Sequence, residues 1–322
     1  MKFNSIFLKM LTVGLFFSNS VSFGMNEFTL GLGETTAGAE VFNKYNFQRA
    51  VDQAALAVDQ AVVNVNFEKI KALLAAAAPG VDVNAASKTG ITALILAVGR
   101  DYPDMVKLLL AKPGINVNAA DYIDRYTALT LAAQFGKTDI VRQLLAIPEI
   151  NVNYAIGYNG KTALMLAVDE GNTDIVNLLL AMPGINVNAT DNYGRTALMH
   201  AALSLYRSID MVKLLLAKLD INVNAVNNAG DTALMWFAGY YGDIDIVNLL
   251  LAKPGINVNA VNDDGKTALM LAVVYGHIDT ALALLDAGAE VTQEIVNAAP
   301  AESRLRAILQ DALDNPMVKA AR

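Results

Sequence analysis

The 322-residue chain contains no cysteine. Disulfides, thiolate metal sites and cysteine nucleophiles are therefore excluded outright. The absence also suits an oxidising export compartment. Histidine is nearly absent too: only His200 and His277 occur. A histidine–carboxylate metal site needs further ligands at helical spacing, and nothing supplies them. No Ser–His–Asp arrangement can be argued. Charged residues make up only 17% of the chain and its net charge is −7. Nucleic acid and anionic membrane surfaces both require a basic footprint, so neither is expected as a partner. After the N-terminus no apolar run reaches the roughly 18 residues that a membrane span needs.

The N-terminus reads as a secretory signal. Lys2 and Lys9 form a basic start, an apolar run follows from Met10 to Phe17, and Ser22-Phe23-Gly24 suits small-residue cleavage. Export to the periplasm or beyond the cell is expected, with residues 1–24 removed. Losing the two lysines would take the net charge from −7 to −9.

What fills the chain is repetition. A Thr-Ala-Leu core begins at Thr92, Thr127, Thr162, Thr196, Thr232 and Thr267, in steps of 34 to 36 residues. A second signal runs in phase: Asn116-Val117-Asn118, Asn151-Val152-Asn153, Asn186-Val187-Asn188, Asn222-Val223-Asn224 and Asn257-Val258-Asn259. A fixed period in this range marks a solenoid whose units bury their apolar faces against their neighbours. Each Thr sits where a helix N-cap belongs. A glycine two residues earlier recurs as Gly90, Gly160, Gly194, Gly230 and Gly265. Its recurrence predicts a positive φ, which other residues adopt only with strain. Arg125 occupies that slot in one unit, where a distorted turn is expected. Asp104, Asp139, Asp174, Asp210, Asp245 and Asp279 open the second helices, where a negative charge complements the helix dipole.

The helix–turn–helix unit with its hairpin-like loop resembles the ankyrin repeat. Resemblance covers roughly residues 47–291. This chain departs from it in carrying Thr-Ala-Leu-Met in place of the usual Thr-Pro-Leu-His, which exchanges a polar bracket for apolar packing. Two residues are inserted near Tyr206-Arg207-Ser208. The Pro-Gly-Ile-Asn-Val-Asn style resembles arrays of host-associated bacteria. The expected architecture is an all-α solenoid with helical caps at both ends. Its parts would be a signal (1–24), a leader and first helical start (25–46), a degenerate N-terminal capping repeat (47–84), six repeats (85–291) and C-terminal capping helices with a tail (292–322). Within the cap, Gln293–Ala298 and Glu302–Leu313 read as helices.

Several tempting motifs have duller readings. Gly160-Lys161-Thr162 and Gly265-Lys266-Thr267 lack the glycine that a phosphate-binding loop places five residues earlier. Asn188-Ala189-Thr190 is a glycosylation sequon at a routine inter-repeat asparagine. Asp169-Glu170 and Asp263-Asp264 read as solvated edges rather than catalytic dyads. Neither a cofactor nor a metal is expected.

Aligning the units isolates positions that the pattern leaves open. On the hairpin tips these include Tyr122, Tyr126, Tyr158, Asn159, Tyr193, Arg195, Asp231 and Asp264. On the inner face of the first helices one register reads Leu96, Leu131, Leu166, His200, Trp236, Leu271. Another reads Arg100, Phe135, Glu170, Ser204, Tyr240, Tyr275. Equal registers should lie side by side, with His200 beside Trp236 and with Tyr240 and Tyr275 flanking it. Tyr154 and Tyr206 read as covers of the core edge. Tyr and Trp offer large, rigid contact area with a polar tip. The resemblance implies a protein partner on the concave face. Expected contact residues are Tyr122, Tyr126, Phe135, Tyr158, Asn159, Glu170, Tyr193, Arg195, His200, Trp236, Tyr240 and Tyr275. The chain reads as a monomeric, non-enzymatic scaffold. Alternatives are a protective envelope spacer, or a hydrolase using Asp169, Glu170 or His200.

Overall fold

The computed structural model describes residues 68–72, 74, 81–157, 159–206 and 208–315. The chain divides into two compact units, 1–123 and 124–322. The expected signal, the leader and most of the N-terminal cap lie outside the described residues, as does Tyr158.

In the first unit, α1 (Ala93–Gly99) and α2 (Pro103–Leu110) form one helical pair. The Thr92 hydroxyl accepts from the Ile95 N–H and starts α1. Asp101, at φ 61°, takes the left-handed turn between the helices that glycine takes in later repeats. Ahead of the pair, residues 68–72 are helical, with Ile70 buried.

The second unit repeats this pairing. Its elements are α3 (Ala128–Gln134), α4 (Thr138–Leu145), α5 (Ala163–Asp169), α6 (Thr173–Leu180), α7 (Ala197–Leu203), α8 (Ile209–Leu216), α9 (Ala233–Trp236) with a π-helical turn (Phe237–Tyr241), α10 (Ile244–Leu251), α11 (Ala268–Val274), α12 (Ile278–Asp286), α13 (Gln293–Ala298) and α14 (Arg304–Asp314). The last two match the expected C-terminal helices closely. Among the described residues the hairpins hold only isolated bridges, such as Ala155 with Thr162 and Val226 with Thr232, and no strand. No helix among them is long and apolar enough to cross a membrane.

Every repeat threonine caps its helix as its position demanded. Thr127, Thr162, Thr196, Thr232 and Thr267 each accept the N–H three residues on. Such a cap contributes about 1 kcal/mol. The six periodic aspartates all fall in the first turn of a second helix. Packing supplies more. Leu144, Leu179, Leu215, Leu250 and Leu284 hold one register of the second helices, and all are fully buried. Each is worth about 2 kcal/mol relative to an exposed side chain. The methionines Met165, Met199 and Met235 are buried as well, which bears out apolar packing at that position.

The paired asparagines turn out to be clamps. The first of each pair accepts the N–H of the second, as Asn222 does from Asn224 at 3.1 Å. The second then spans to the next repeat through both atoms of its amide. Asn224 donates to the Gly255 carbonyl at 2.7 Å and accepts from the Asn257 N–H at 2.8 Å. Asn153 and Asn188 do the same toward the 184–186 and 220–222 segments. The sequon asparagine Asn188 is therefore a structural clamp. Replacing Asn224 by Ala removes two inter-repeat bonds and should cost about 1–2 kcal/mol in urea unfolding. Asn224→Asp should cost as much, because it turns the donor into a charge facing the Gly255 carbonyl.

One repeat departs from the helical pattern. Four residues of the second unit share the register five after the threonine and are alanine: Ala132, Ala167, Ala201 and Ala272. The Thr232 repeat carries Phe237 there, fully buried. It also has one residue more before its turn glycine, Gly242, than the Thr162 and Thr267 repeats have. The helix absorbs both changes by widening into a π-turn over Phe237–Tyr241. Nothing in the register pattern anticipates it.

Candidate functional site

The register four residues after each capping threonine is buried throughout. Leu131, Leu166 and Leu271 fill it with apolar side chains. Two repeats break that rule, with His200 at 1% exposure and Trp236 at 7%. These two, and Tyr126, were expected on an accessible face. All three are buried instead: His200 and Trp236 because their register lies against the helices of adjoining repeats, and Tyr126 just ahead of its capping threonine. The Tyr126 hydroxyl is turned onto Gln134 Oε1 at 2.6 Å.

A buried imidazole needs partners, and His200 has them on both sides. Nδ1 lies 2.8 Å from Asp169 Oδ1, and Nε2 lies 3.1 Å from Asp191 Oδ2. Carboxylate oxygens accept, so bonding on both sides requires both ring nitrogens to carry a proton. The outer ends are closed by cations. Lys161 Nζ lies 2.6 Å from Asp169 Oδ2, and the Arg195 guanidinium lies 2.7 Å from Asp191 Oδ2. The result is one relay, Lys161–Asp169–His200–Asp191–Arg195, in which the Asp169–His200 bond links two successive repeats. Burial pushes the Asp169 carboxyl up, but the bonds and charges of His200 and Lys161 outweigh it, and the net shift is downward. Asp191 shows the same balance, its burial outweighed by Arg195 and by the N–H groups of Arg195 and Tyr193. The expected solvated edge is thus half right. Glu170 is half-buried, its carboxyl raised by burial and then by the Asp169 charge, while Asp169 belongs to the interior network.

Asp191 escaped the sequence reading. It closes the hairpin by accepting the N–H groups of Tyr193 and Arg195 with Oδ1. Asn227 and Asn262 do that work in the next two repeats. An aspartate where the next two repeats carry Asn227 and Asn262, in phase with a histidine where four repeats carry leucine, was the available signal.

The relay has the residues of a hydrolase centre but not its geometry. Both His200 nitrogens are occupied and the ring is closed to solvent. Ser204 Oγ donates to the Asp169 carbonyl at 3.0 Å rather than to His200. Among the described residues no group of His, Asp or Glu could hold a metal ion.

The register eight after the threonine is where aromatic surface emerges. Phe135, Tyr240 and Tyr275 are exposed there. The Tyr240 and Tyr275 rings pair with centroids 5.4 Å apart at 42°. Tyr193 is exposed on its hairpin tip, with the Arg195 guanidinium 4.5 Å above its ring. Asn159, half-buried, accepts from the Lys161 N–H. In the first unit Tyr122 is exposed and lies over Gly90, bonded to the Thr89 carbonyl. Tyr206, expected to cover the core edge, is exposed and lies over Gly171, while Tyr154 is half-buried and accepts from Arg125 Nε.

The profile of the family described as "Ankyrin repeats (3 copies)" matches residues 58–156, 129–227 and 219–295, together more than half of the chain. No curated protein matches. Among solved structures, the ankyrin repeat protein EF0377 is similar with 25% identity and a TM-score of 0.56, over 65% of this chain and 99% of that one. The ankyrin repeat domain of Bcl-3, a member of the IkappaB family, is similar with 28% identity and a TM-score of 0.59, over 73% of this chain and 96% of that one. The capped helix pairs, the hairpins and the family match agree: this chain belongs to the ankyrin-repeat family.

Proposed function

We propose that the protein is an exported, non-catalytic scaffold that binds a protein partner through the tyrosine-bearing concave face of its repeats. Ankyrin repeats generally mediate protein–protein interaction, and the finer reading rests on where this chain exposes aromatic surface. The carrying observation is that Tyr193, Tyr240 and Tyr275 stand exposed on helix ends and a hairpin tip, above registers that are otherwise buried. Large amphipathic rings held on a rigid base lose little conformational entropy on contact. Export is proposed from the N-terminal segment, and sequencing the N-terminus of the secreted form should find it beginning at Met25.

The test of the scaffold reading is a cross-linking capture with the wild type and a Tyr193→Ala, Tyr240→Ala, Tyr275→Ala variant, followed by calorimetry with the purified partner. The triple variant should stay folded and bind at least about tenfold more weakly, as loss of aromatic anchors does. An equal affinity would remove this face from the interaction.

A further inference from the structure

The residue just before each capping threonine shares one register: Tyr126, Lys161, Arg195, Asp231 and Lys266 in the second unit. In two of these repeats it is a cation that the chain itself matches. Lys161 meets Asp169, and Arg195 meets Asp191 while covering the Tyr193 ring. The Thr232 repeat inverts the sign. Asp231 accepts from the side-chain amides of Asn262 at 2.7 Å and Asn227 at 3.2 Å. Those bonds hold the carboxylate without neutralising it. Among the described residues no cation pairs with it.

The same repeat carries the π-turn and the exposed ring pair. Tyr240 is 53% exposed and Tyr275 51%. Burial raises the Tyr240 phenol first, and the negative fields of Tyr275, Asp231 and Asp264 raise it further. So both carboxylates act on that ring. Asp264 has Lys266 at 3.8 Å, but both side chains are largely exposed, and such a pair is weak. The place therefore has aromatic faces and carboxylates, the surroundings that Arg195 enjoys one repeat earlier, with only the weak Lys266 contact as an internal cation.

We propose that Tyr240, Tyr275, Asp231 and Asp264 form a seat for an arginine or lysine side chain carried on a segment of a partner protein. A cation is attracted by the negative face of an aromatic ring and by the adjacent carboxylates. Arginine suits the seat better, because its planar guanidinium stacks on a ring while its N–H fork donates to a carboxylate. The chain shows this geometry internally, with Arg195 over Tyr193 and onto Asp191. An acidic partner or an anionic lipid surface would be repelled. The inference rests on the scaffold reading and names the chemistry of its partner.

The test is calorimetric titration of the full chain with a blocked tetra-arginine peptide, and with blocked tetra-lysine beside it. Tetra-arginine should bind more tightly of the two. Asp231→Asn with Asp264→Asn should weaken it at least about tenfold, and Tyr240→Leu with Tyr275→Leu should do likewise. Asp245→Asn with Asp279→Asn removes the same charge from exposed second-helix positions and should change affinity less than about twofold. Asp264→Asn alone lies on an exposed hairpin tip and keeps the test open if the Asp231 change disturbs the fold. Equal losses in the two charge-removed pairs, no loss in the tyrosine pair, or no binding of either peptide would overturn the seat. A natural partner whose capture survives Tyr240→Leu with Asp264→Asn would overturn the seat and leave the scaffold reading standing. Peptide binding at the seat with no partner captured would do the reverse.

Discussion

His200→Leu should destabilise the protein by about 3 kcal/mol, although leucine is the residue that most repeats place in that register. The leucine would fit. What it cannot do is separate two carboxylates. Asp191 is wholly buried in its side chain and Asp169 largely so. With the imidazole gone, each keeps one cation, Lys161 on Asp169 Oδ2 and Arg195 on Asp191 Oδ2, while Asp169 Oδ1 loses its partner. Removing one member of a buried ionic chain leaves the others desolvated and short of a partner, which costs more than the intact chain contributes. The companion variant settles the cause. His200→Leu with Asp191→Asn reproduces the pairing of leucine and asparagine found in the Thr267 repeat, as Leu271 and Asn262. The side-chain amide that replaces the Asp191 carboxylate could still accept the Tyr193 and Arg195 N–H groups, as Asn262 accepts those of Asp264 and Lys266. The double variant should therefore recover about half of the loss, the rest staying with Asp169, whose Oδ1 still lacks its partner; that recovery is a coupling between adjacent positions. Trp236, the one tryptophan, is buried in the next repeat and reports the melt by fluorescence in urea. If the double variant is no more stable than the single, the histidine matters for its shape and not for its charge.

The same network sets an acid limit. The Asp169 and Asp191 carboxyls are both held below their ordinary value of 3.8. For a lowered pKa the stabilisation is present in full above the unfolded value and is lost as pH falls through the folded value. Unfolding free energy should therefore hold steady down to about pH 5 and drop below about pH 4. Asp191→Asn removes one titrating group and should flatten that drop. An unchanged slope would mean that the acid limit comes from other carboxylates.

Much of the fold could be read from residue spacing, because a repeat states each rule several times. Thr162 as a cap, Gly194 as a left-handed turn and Asp174 as a first-turn charge are local requirements, and local requirements leave local residues. Arg125 shows how rigid the rule is: with no glycine there, the chain still adopts φ 62°. Less legible were features that depend on what faces what. The π-turn follows from Phe237 in a slot of alanines together with one extra residue, and an alignment by register alone passes over it. The burial of Trp236 and His200 was missed for a related reason. A histidine and a ring with a polar tip read as binding surface, but here the register belongs to an interface between helices. Asp191 had no visible role because its second oxygen acts across nine residues on a histidine that also touches Asp169, thirty-one residues away.

The strongest backbone test lies in two glycines that the same rule selects for different reasons. Gly194 and Gly265 sit in equivalent hairpin turns, both at φ 75°. An alanine at either adopts a left-handed conformation at a cost of about 1–2 kcal/mol. At Gly265 nothing lies within 4 Å of the added Cβ, so that is the whole expected cost. At Gly194 the Cβ would stand 2.5 Å from Asn228 Oδ1 and 2.8 Å from the Asn228 backbone nitrogen. The side chain could swing away, but the backbone cannot. That nitrogen donates to the Tyr193 carbonyl at 2.9 Å, the bond that ties one hairpin tip to the next. Gly194→Ala must therefore break this bond as well as adopt the strained φ, and should lose about 3 kcal/mol or more. Urea midpoints for the two variants separate the causes. Equal losses would mean that φ alone selects glycine in these turns. A loss at Gly194 at least about 1 kcal/mol greater would show that the close stacking of successive tips selects it too. Arg125 occupies the slot against Gly157, a neighbour with no side chain: the Gly157 N–H keeps the tip-to-tip bond to the Asp124 carbonyl at 3.0 Å, and a Cβ at Gly157 would fall 2.7 Å from Arg125 Cγ.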